Sequence, residues 1–359
     1  MPTKLAEIIH DEIVAEGGAM PFVRFMELAL YCPKLGYYET KRDTVGRRGD
    51  FYTSVSVGSL FGELLAFQFA EWLEEINVTS GLKIVEAGAH DGQLAWDILT
   101  WLQSNRPGVF EKIEYCILEP SAHRREWQRD TLECFAGRIR WLTRLDATSV
   151  TGIIFSNELL DAFPVRRLGW NAKRKKWFEW GVAVDGQKFV WTKMELAGDH
   201  VPPMDVAPSL LDVLPDDFTT EASPAAAAWW RLAADALARG KLIMADYGLD
   251  SEDFFVPSRT NGTLRAYYRH HFADDLLGNA GEQDLTAHVN FSEIRKAGEA
   301  AGLASEFNST QSKFLTGILE KTVKDKTFGE WTSARGRQFQ TLTHPEHLGR
   351  AFRVLVQSR

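Results

Sequence analysis

Cysteine is scarce in this chain. Only Cys32, Cys116 and Cys134 occur, an odd count with no C-x-x-C spacing. That argues against a disulfide framework and gives no zinc-ligand pattern, so no metal is expected. Cys116 sits in an apolar, strand-like run, as a packed core thiol would. A basic excess is also lacking: 41 Lys and Arg face 49 Asp and Glu, a formal net charge of -8. A general nucleic-acid footprint is therefore not expected. No run approaches the roughly 18 apolar residues of a membrane span, so no membrane insertion is expected. The stretch Met1–Gly18 has neither the apolar centre of a signal peptide nor the Arg- and Ser-rich character of a transit peptide. With so few cysteines, this points to a reducing, cytoplasmic location. Internal repeats are absent.

What is present reads as a globular α/β chain. Hydrophobic residues make up 45% of the 359 and charged residues 25%, enough for one large domain or two. Residues 3–16 predict a helix capped by Thr3, Pro21 opens a second through Tyr31, and residues 58–76 a third, strongly apolar one. Apolar strands follow at Lys83–Ala87, Ile113–Leu118, Ile139–Leu142 and Gly152–Ser156. Helical patterns at Gln93–Gln103 and Ser121–Phe135 separate the first three, which implies right-handed crossovers and a parallel sheet. After Pro164 the texture changes to a meander, Val165–Trp170, Trp177–Val184 and Lys188–Lys193. The stretch from Ala197 to Pro224 holds five of the 13 prolines and predicts a long surface loop or lid. A helix capped by Ser223 then runs to Gly240, and a fifth buried strand covers Leu242–Asp246. Gly248–Asp284 reads as another covering loop, Ser292–Ala301 as a helix, and the chain closes on helices and the strand Phe352–Gln357.

The residues that carry chemistry cluster after these strands. Lys83-Ile-Val-Glu-Ala-Gly-Ala-His-Asp-Gly-Gln-Leu94 is a strand, a glycine-bearing turn and a helix start, the place where α/β proteins take nucleotide-like ligands. Gly88 and Gly92 leave the backbone approachable, since neither has a Cβ. The second strand ends at Glu119, an acid placed to accept ribose hydroxyls; it stands 27 positions beyond Gly92. The dinucleotide fingerprint places its acid roughly 20 residues on and needs G-x-G-x-x-G, so a dehydrogenase is a poor fit while other nucleosides remain open. Asp146, after the third strand, could accept from an adenine amine, or simply cap a turn. The fourth strand delivers Asn157, Glu158 and Asp161 to the same edge. Glu158 and Asp161 lie three apart, so one helical turn would put both carboxylates on one face, where they raise one another's pKa or grip a cation. His270-His271 and His344-x-x-His347 have no suitably spaced acid or Cys in one motif and read as surface or packing residues. His288 could reach a substrate or be a hydrogen-bonded core histidine. Lys173-Arg-Lys-Lys176 reads as a solvated hairpin turn.

Five segments, in order, resemble the MidA family of S-adenosylmethionine-dependent methyltransferases, a family that includes a mitochondrial complex I assembly factor. They are Gly49-Asp-Phe-Tyr-Thr-Ser54, Leu60-Phe-Gly-Glu-Leu-Leu65, Ser156-Asn-Glu-Leu-Leu-Asp-Ala-Phe-Pro164, Gly262-Thr-Leu-Arg-Ala-Tyr267 and Gly281-Glu-Gln-Asp-Leu-Thr-Ala-His288. The resemblance spans Phe22 to Gln357. It implies a Rossmann-like class I methyltransferase with a seven-stranded, mostly parallel sheet whose last pair forms an antiparallel edge, together with N-terminal helices and inserted lid and meander segments. Residues 1–80 would be a helical segment packing on the core. Residues 81–359 would be the methyltransferase domain, with insertions at about 165–224 and 248–290. The resemblance implies S-adenosyl-L-methionine as cofactor, held by Gly49, Asp50, Thr53, Glu86, Gly88, Gly92, Glu119 and Asp146. It also implies a protein arginine, on a complex I subunit for instance, as acceptor. For such a guanidinium, carboxylates that bind some N–H groups and take up the lost proton are needed, and Glu158 and Asp161 are the catalytic candidates, with Asn157 orienting substrate or cofactor. A homodimer is compatible with it. One departure stands out: His90 replaces the middle glycine of the family's E-x-G-x-G-x-G turn. That departure motivates the alternative of a catalytically weak assembly or binding protein that keeps the fold.

Overall fold

The structure, a computed structural model, describes residues 3–40, 53–78, 80–196, 206, 208–268 and 271–359. Gly49, Asp50 and His270 lie outside the described residues. The central sheet contains β1 (Leu82–Ala87), β2 (Ile113–Leu118), β3 (Ile139–Leu142), β4 (Val150–Asn157), β5 (Leu237–Leu249), β6 (Ala304–Thr310) and β7 (Phe352–Ser358). Their order is β6-β7-β5-β4-β1-β2-β3. β1 to β5 run parallel, and β7 is antiparallel to both of its neighbours. The sheet has eight strands where seven are expected, because the two-residue strand Val289–Asn290 pairs in parallel with Gly248 and Leu249 at the end of β5. The direction of winding reverses between β1 and β4, and in open α/β sheets ligands bind at the carboxyl ends of such a pair.

Strand residues alternate between two cores, as a period of two requires. Ile84, Ile153, Phe155, Ile243, Val354 and Val356 face α3 (Leu60–Ile76), α4 (Gln93–Asn105) and α8 (Gln311–Thr322). Val85, Ile154, Leu242, Met244 and Leu355 face α6 (Pro224–Ala236) and α7 (Phe291–Ala300) on the other side. The result is a three-layer α/β/α core. Burial of β-branched residues on both faces explains why these strands read as continuous apolar runs in the sequence.

The N-terminal region divides between two bodies of structure. α1 (Lys4–Ala15), capped by Thr3, and α2 (Phe22–Tyr31) do not lie on the central sheet. Leu5, Ile9, Phe22, Phe25 and Tyr37 pack with Val165, Val182, Leu264 and Leu285 in a separate core. The chain between these two helices, Ala19–Pro21, pairs antiparallel with the long meander strand Lys176–Asp185. α3, by contrast, belongs to the central core.

Several expected boundaries shift. The helix expected to reach Gly240 stops at Ala236, and β5 starts at Leu237, five residues before the expected strand. Gly240 sits inside β5, where a Cβ would meet the carbonyl oxygen of Gly152 at 1.9 Å. It is a glycine for interstrand closeness and not for helix termination. The expected lid at 197–224 contains the strand Thr219–Ala222, which closes the meander by pairing with Arg166–Gly169. The expected loop at 248–284 contributes to a three-stranded sheet, Arg265–Tyr268, His271–Ala273 and Asp284–Thr286.

Candidate active site

A cavity of about 1570 Å³ opens at the carboxyl ends of β1, β2 and β4. Small-molecule sites usually run to roughly 300–1,000 Å³, so this one has room for a nucleoside-sized ligand and part of a second reactant. Its walls come from the glycine turn, the start of α5 (Ala122–Thr131), the loop after β4, the end of α2 with Tyr37–Glu39, and the segment 265–288.

The turn after β1 uses its glycines for backbone shape. Gly88 has φ +75 and Gly92 φ +91, values an L side chain rarely takes. A Cβ on Gly88 would come within 2.8 Å of Leu159 Cδ1, and one on Gly92 within 3.0 Å of Leu132 Cδ1. Both glycines therefore also allow close packing against protein. His90 adopts φ +46, the left-handed conformation a glycine would fill, and lines the cavity. Its Nδ1 lies 3.6 Å from Asp91 Oδ1. Its carbonyl accepts from Gln128 Nε2 at 3.1 Å.

Gln128 went unremarked in the sequence, yet it ties this half of the site together. It is fully buried on α5, and its Nε2 also reaches Glu119 Oε2 at 3.3 Å, while its Oε1 accepts from Trp141 Nε1 at 2.9 Å. Glu119 is buried, and its other oxygen caps the start of α5 by accepting from Ser121 N at 3.0 Å. Arg124 Nη1 stands 3.6 Å from Glu119 and its guanidinium lies over the Tyr38 ring. Glu86, buried at the end of β1, accepts from Tyr115 Oη at 2.7 Å, and burial pushes its carboxyl up to about 8. Asp146 does not join them. It is exposed in the turn after β3, 3.3 Å from Arg144, and the cavity wall there is Thr143, Arg144 and Leu145. The adenine contact expected of it is corrected for that reason: the turn points its carboxylate to solvent.

The loop after β4 builds the other half. Glu158 has φ +51, a strained value for a side chain of its size, held in place as its N–H donates to Ala245 O at 2.9 Å. Its Oε1 accepts from Asn157 Nδ2 at 3.1 Å and from Ser54 N at 3.4 Å. Asn157 Oδ1 is buried with no partner among the described residues, a group poised for a ligand. A 3₁₀ turn, Leu160–Ala162, then presents Asp161. The expected single helical turn does not form, because Glu158 is left-handed, yet both carboxylates line the cavity. Thr53 lines it as well.

Two further acids converge on this loop. Asp246, at the end of β5, is fully buried and accepts from Leu159 N, Leu160 N and Tyr247 N at 3.2, 2.9 and 2.8 Å. Asp284, buried in the strand Asp284–Thr286, lines the cavity too. Next to it, the N–H of Ala287 donates to Asp161 O at 2.9 Å, which joins the two loops. Burial, reinforced by Asp161, pushes Glu158 up to about 8. Burial, reinforced by Asp246 and Asp284, holds Asp161 well above the usual carboxylate range, and burial pushes Asp246 up to about 7. Tyr31, Tyr37, Tyr38, Tyr247 and Tyr267 complete the wall. Carboxylates and aromatic faces together favour cations, which recover the carboxylates' charge and interact with the rings. Asp246 and Tyr247, at the end of the fifth strand, are weaker candidates from the sequence; Asp284 and the other tyrosines were missed, because only the tertiary fold brings segments 31–38, 158–161, 265–267 and 284–288 to one chamber.

The donor set fits a nucleoside-bearing sulfonium: a glycine turn at a strand end, a buried ribose acid and an anionic interior. Comparison with known proteins agrees. Residues 64–308 match the family of S-adenosyl-L-methionine-dependent methyltransferases designated Methyltransf_28, and the chain belongs to that family. A Burkholderia thailandensis protein, solved with S-adenosyl-homocysteine bound, superimposes with a TM-score of 0.84 at 33% identity, covering 99% of this chain and 92% of the other. Protein arginine methyltransferase NDUFAF7 of Danio rerio is 26% identical over 96% of this chain and 84% of its own length. The Drosophila melanogaster NDUFAF7 homolog, also described as a protein arginine methyltransferase, is 26% identical over 83% of this chain and 70% of its length. The chain is thus an S-adenosylmethionine-dependent methyltransferase, as its motifs imply. The cytoplasmic expectation is corrected: both NDUFAF7 relatives are described as mitochondrial. No helix of the described residues is long and apolar enough to cross a membrane.

Proposed function

We propose that this methyltransferase acts on an arginine side chain of a partner protein, with a respiratory complex I subunit as the leading candidate. The observation that carries this reading is the acidic, tyrosine-walled chamber beside the glycine turn, lined by Glu158, Asp161 and Asp284, with Asp246 buried behind the loop of Asp161. The descriptions of the NDUFAF7 relatives as protein arginine methyltransferases support it. Glu86, Gly88, Gly92, Glu119 and Thr53 are assigned to the cofactor. Gly49 and Asp50 keep that assignment on their motif alone. Bound there, the cofactor supplies a methyl carbon already activated by a sulfonium.

The protein's own task is to make a guanidinium reactive. Protonated, with a pKa above about 12, it has no free lone pair on nitrogen. Glu158 and Asp161 bind its N–H groups and leave one nitrogen facing the methyl carbon. A carboxylate lining this chamber takes the departing proton, and the raised pKa of Glu158 and Asp161 makes that transfer easier than to an ordinary carboxylate. Asn157 aligns the reactants. Homodimerisation is compatible with this reading and independent of it. The test is incubation of the pure protein with labelled S-adenosylmethionine and host extract, followed by mass spectrometry. Label on an arginine of a protein supports the reading, and label on RNA or a small molecule removes it.

A further inference from the structure

We infer that His288 orients the nitrogen that receives the methyl group, by accepting a hydrogen bond from its N–H. This rests on the reading above that the acceptor is a nitrogen-bearing cation.

Three observations carry it. The imidazole lines the cavity, with Asp161, Asp284 and Tyr267 also in its wall. Its Nδ1 is buried and has no hydrogen-bond partner among the described residues. An unpartnered buried ring nitrogen is a cost that a ligand's N–H would remove. The residue is also mounted with unusual care. Its backbone N–H donates to Thr263 Oγ1 at 3.1 Å. Thr263 in turn donates twice to Glu221 Oε2, from Oγ1 at 3.0 Å and from N at 2.6 Å. Glu221 is a buried residue of the meander sheet. Beside it Gly262 takes φ +75, and a Cβ there would stand 2.2 Å from Glu221 Oε1. Arg167, with Nη1 3.6 Å from Glu221, donates through Nη2 to Asn261 O at 3.0 Å. The meander sheet thereby fixes the backbone of a residue that faces the chamber, so Glu221 is a positioning residue.

The chemistry of the ring decides its role. Burial, with Arg265 and Arg259 nearby, pulls the imidazole down to about 4, so it stays neutral in working conditions. A neutral ring accepts a hydrogen bond but is a poor proton acceptor. In the transfer, the methyl carbon's bond to sulfur breaks as its bond to nitrogen forms. The proton lost by the nitrogen goes to a chamber carboxylate, Glu158 or Asp161, and His288 neither gains nor gives one.

The test is titration of methylguanidinium into the full chain saturated with S-adenosylhomocysteine, with the ring nitrogens of His288 followed by NMR. His288→Leu is expected to weaken methylguanidinium about tenfold or more. His288→Asn, which restores an amide acceptor near the Nδ1 position, is expected to recover most of the loss. Glu221→Gln should weaken it several-fold. S-adenosylhomocysteine affinity should stay within about twofold in all three, and the ring should stay neutral between about pH 5.5 and 8. Unchanged probe binding in His288→Leu overturns the inference. So does a loss of S-adenosylhomocysteine in step with the probe, or failure of wild type to bind either methylguanidinium or methylammonium. Preference for methylammonium, with the same loss in His288→Leu, keeps the role of His288 and removes the arginine reading.

Discussion

The two halves of the cavity are built on different plans. The half assigned to the cofactor is local: Glu86 ends one strand with Gly88 and His90 just after it, Glu119 and Gln128 follow the next, and hydrogen bonds from Gln128 tie His90 to Glu119. Its shape comes from backbone, through two glycines and one histidine at positive φ. The acceptor half is assembled from distant chain. Tyr31 and Tyr38 come from the N-terminal helices, Glu158 and Asp161 from β4's loop, Tyr247 from β5, and Asp284 and His288 from the segment beyond it. Its property is electrostatic, a concentration of carboxylates held away from water. A local frame suits a cofactor common to many reactions, whereas an assembled chamber can be varied without disturbing that frame.

Substitutions on the two sides should therefore separate turnover from cofactor affinity. The largest effect is expected from Asp161→Asn. It keeps the shape and removes the charge, and loss of a general base costs on the order of 10²–10⁴ in rate. kcat should fall by about that factor while S-adenosylhomocysteine affinity, measured by calorimetry, is retained. Equal losses in both would merge the two halves. Gly88→Val should do the opposite. A β-branched residue at φ +75, pressed on Leu159, reshapes the turn, and cofactor affinity should drop by about ten- to a hundredfold.

The acceptor half should also set the pH response of turnover, while the pH response of stability also includes Glu86. Activity requires ionised carboxylate, so it should rise through about pH 8 and flatten above, following Glu158. Stability of the ligand-free protein should move the other way. Unfolded carboxylates titrate near pH 4, so between there and about pH 8 the folded state holds protons that the unfolded chain has lost, and folding weakens as pH rises across that window. Thermal melts from pH 5 to 8 should show the fall, and Glu158→Gln should make it shallower. A profile unchanged by that variant would take Glu158 out of the account.

A smaller effect belongs to Gln128→Leu. It leaves Trp141 Nε1 without its partner and frees the carbonyl of His90 and the carboxylate of Glu119, at a cost of about 1–3 kcal/mol in stability and several-fold in cofactor affinity. Turnover at saturating cofactor should change little.

The contrast between halves also explains what the sequence could disclose. β1 to β4, α4 and the turn at Gly88–Gly92 were legible because period-two burial and glycine punctuation are local signals. Glu119 was legible because it ends a strand. Asp146 was misplaced because a position after a strand does not say whether the turn faces in or out. Asp284 and Tyr267 fell inside family-like motifs that did not say what role they play, and Tyr31, Tyr37 and Tyr38 carried no local signal of a site. Asp284 stands in a stretch of weak periodicity, and only its pairing opposite Tyr267 and its closeness to the loop of Asp161 give it a role. The strand Thr219–Ala222 was hidden for a similar reason: it is short, follows a proline-rich stretch, and exists through its pairing with Arg166–Gly169.

The finest test concerns His90, the one residue of the cofactor half that departs from the motif it resembles. Its side-chain contact with Asp91 at 3.6 Å, with the Asp91 side chain 40% exposed, is worth little. The contact that matters is made by its backbone, whose carbonyl holds Gln128 and through it Glu119. Glycine would relieve strain at φ +46, yet it would also add freedom to the unfolded chain, and each term is about 1 kcal/mol with opposite sign. His90→Gly should therefore change melting temperature by only a few degrees and S-adenosylhomocysteine affinity by less than about threefold. A tenfold gain in affinity would mean that the ring crowds the cofactor, and that the local half of the site has been detuned by its side chain while its backbone frame stayed intact.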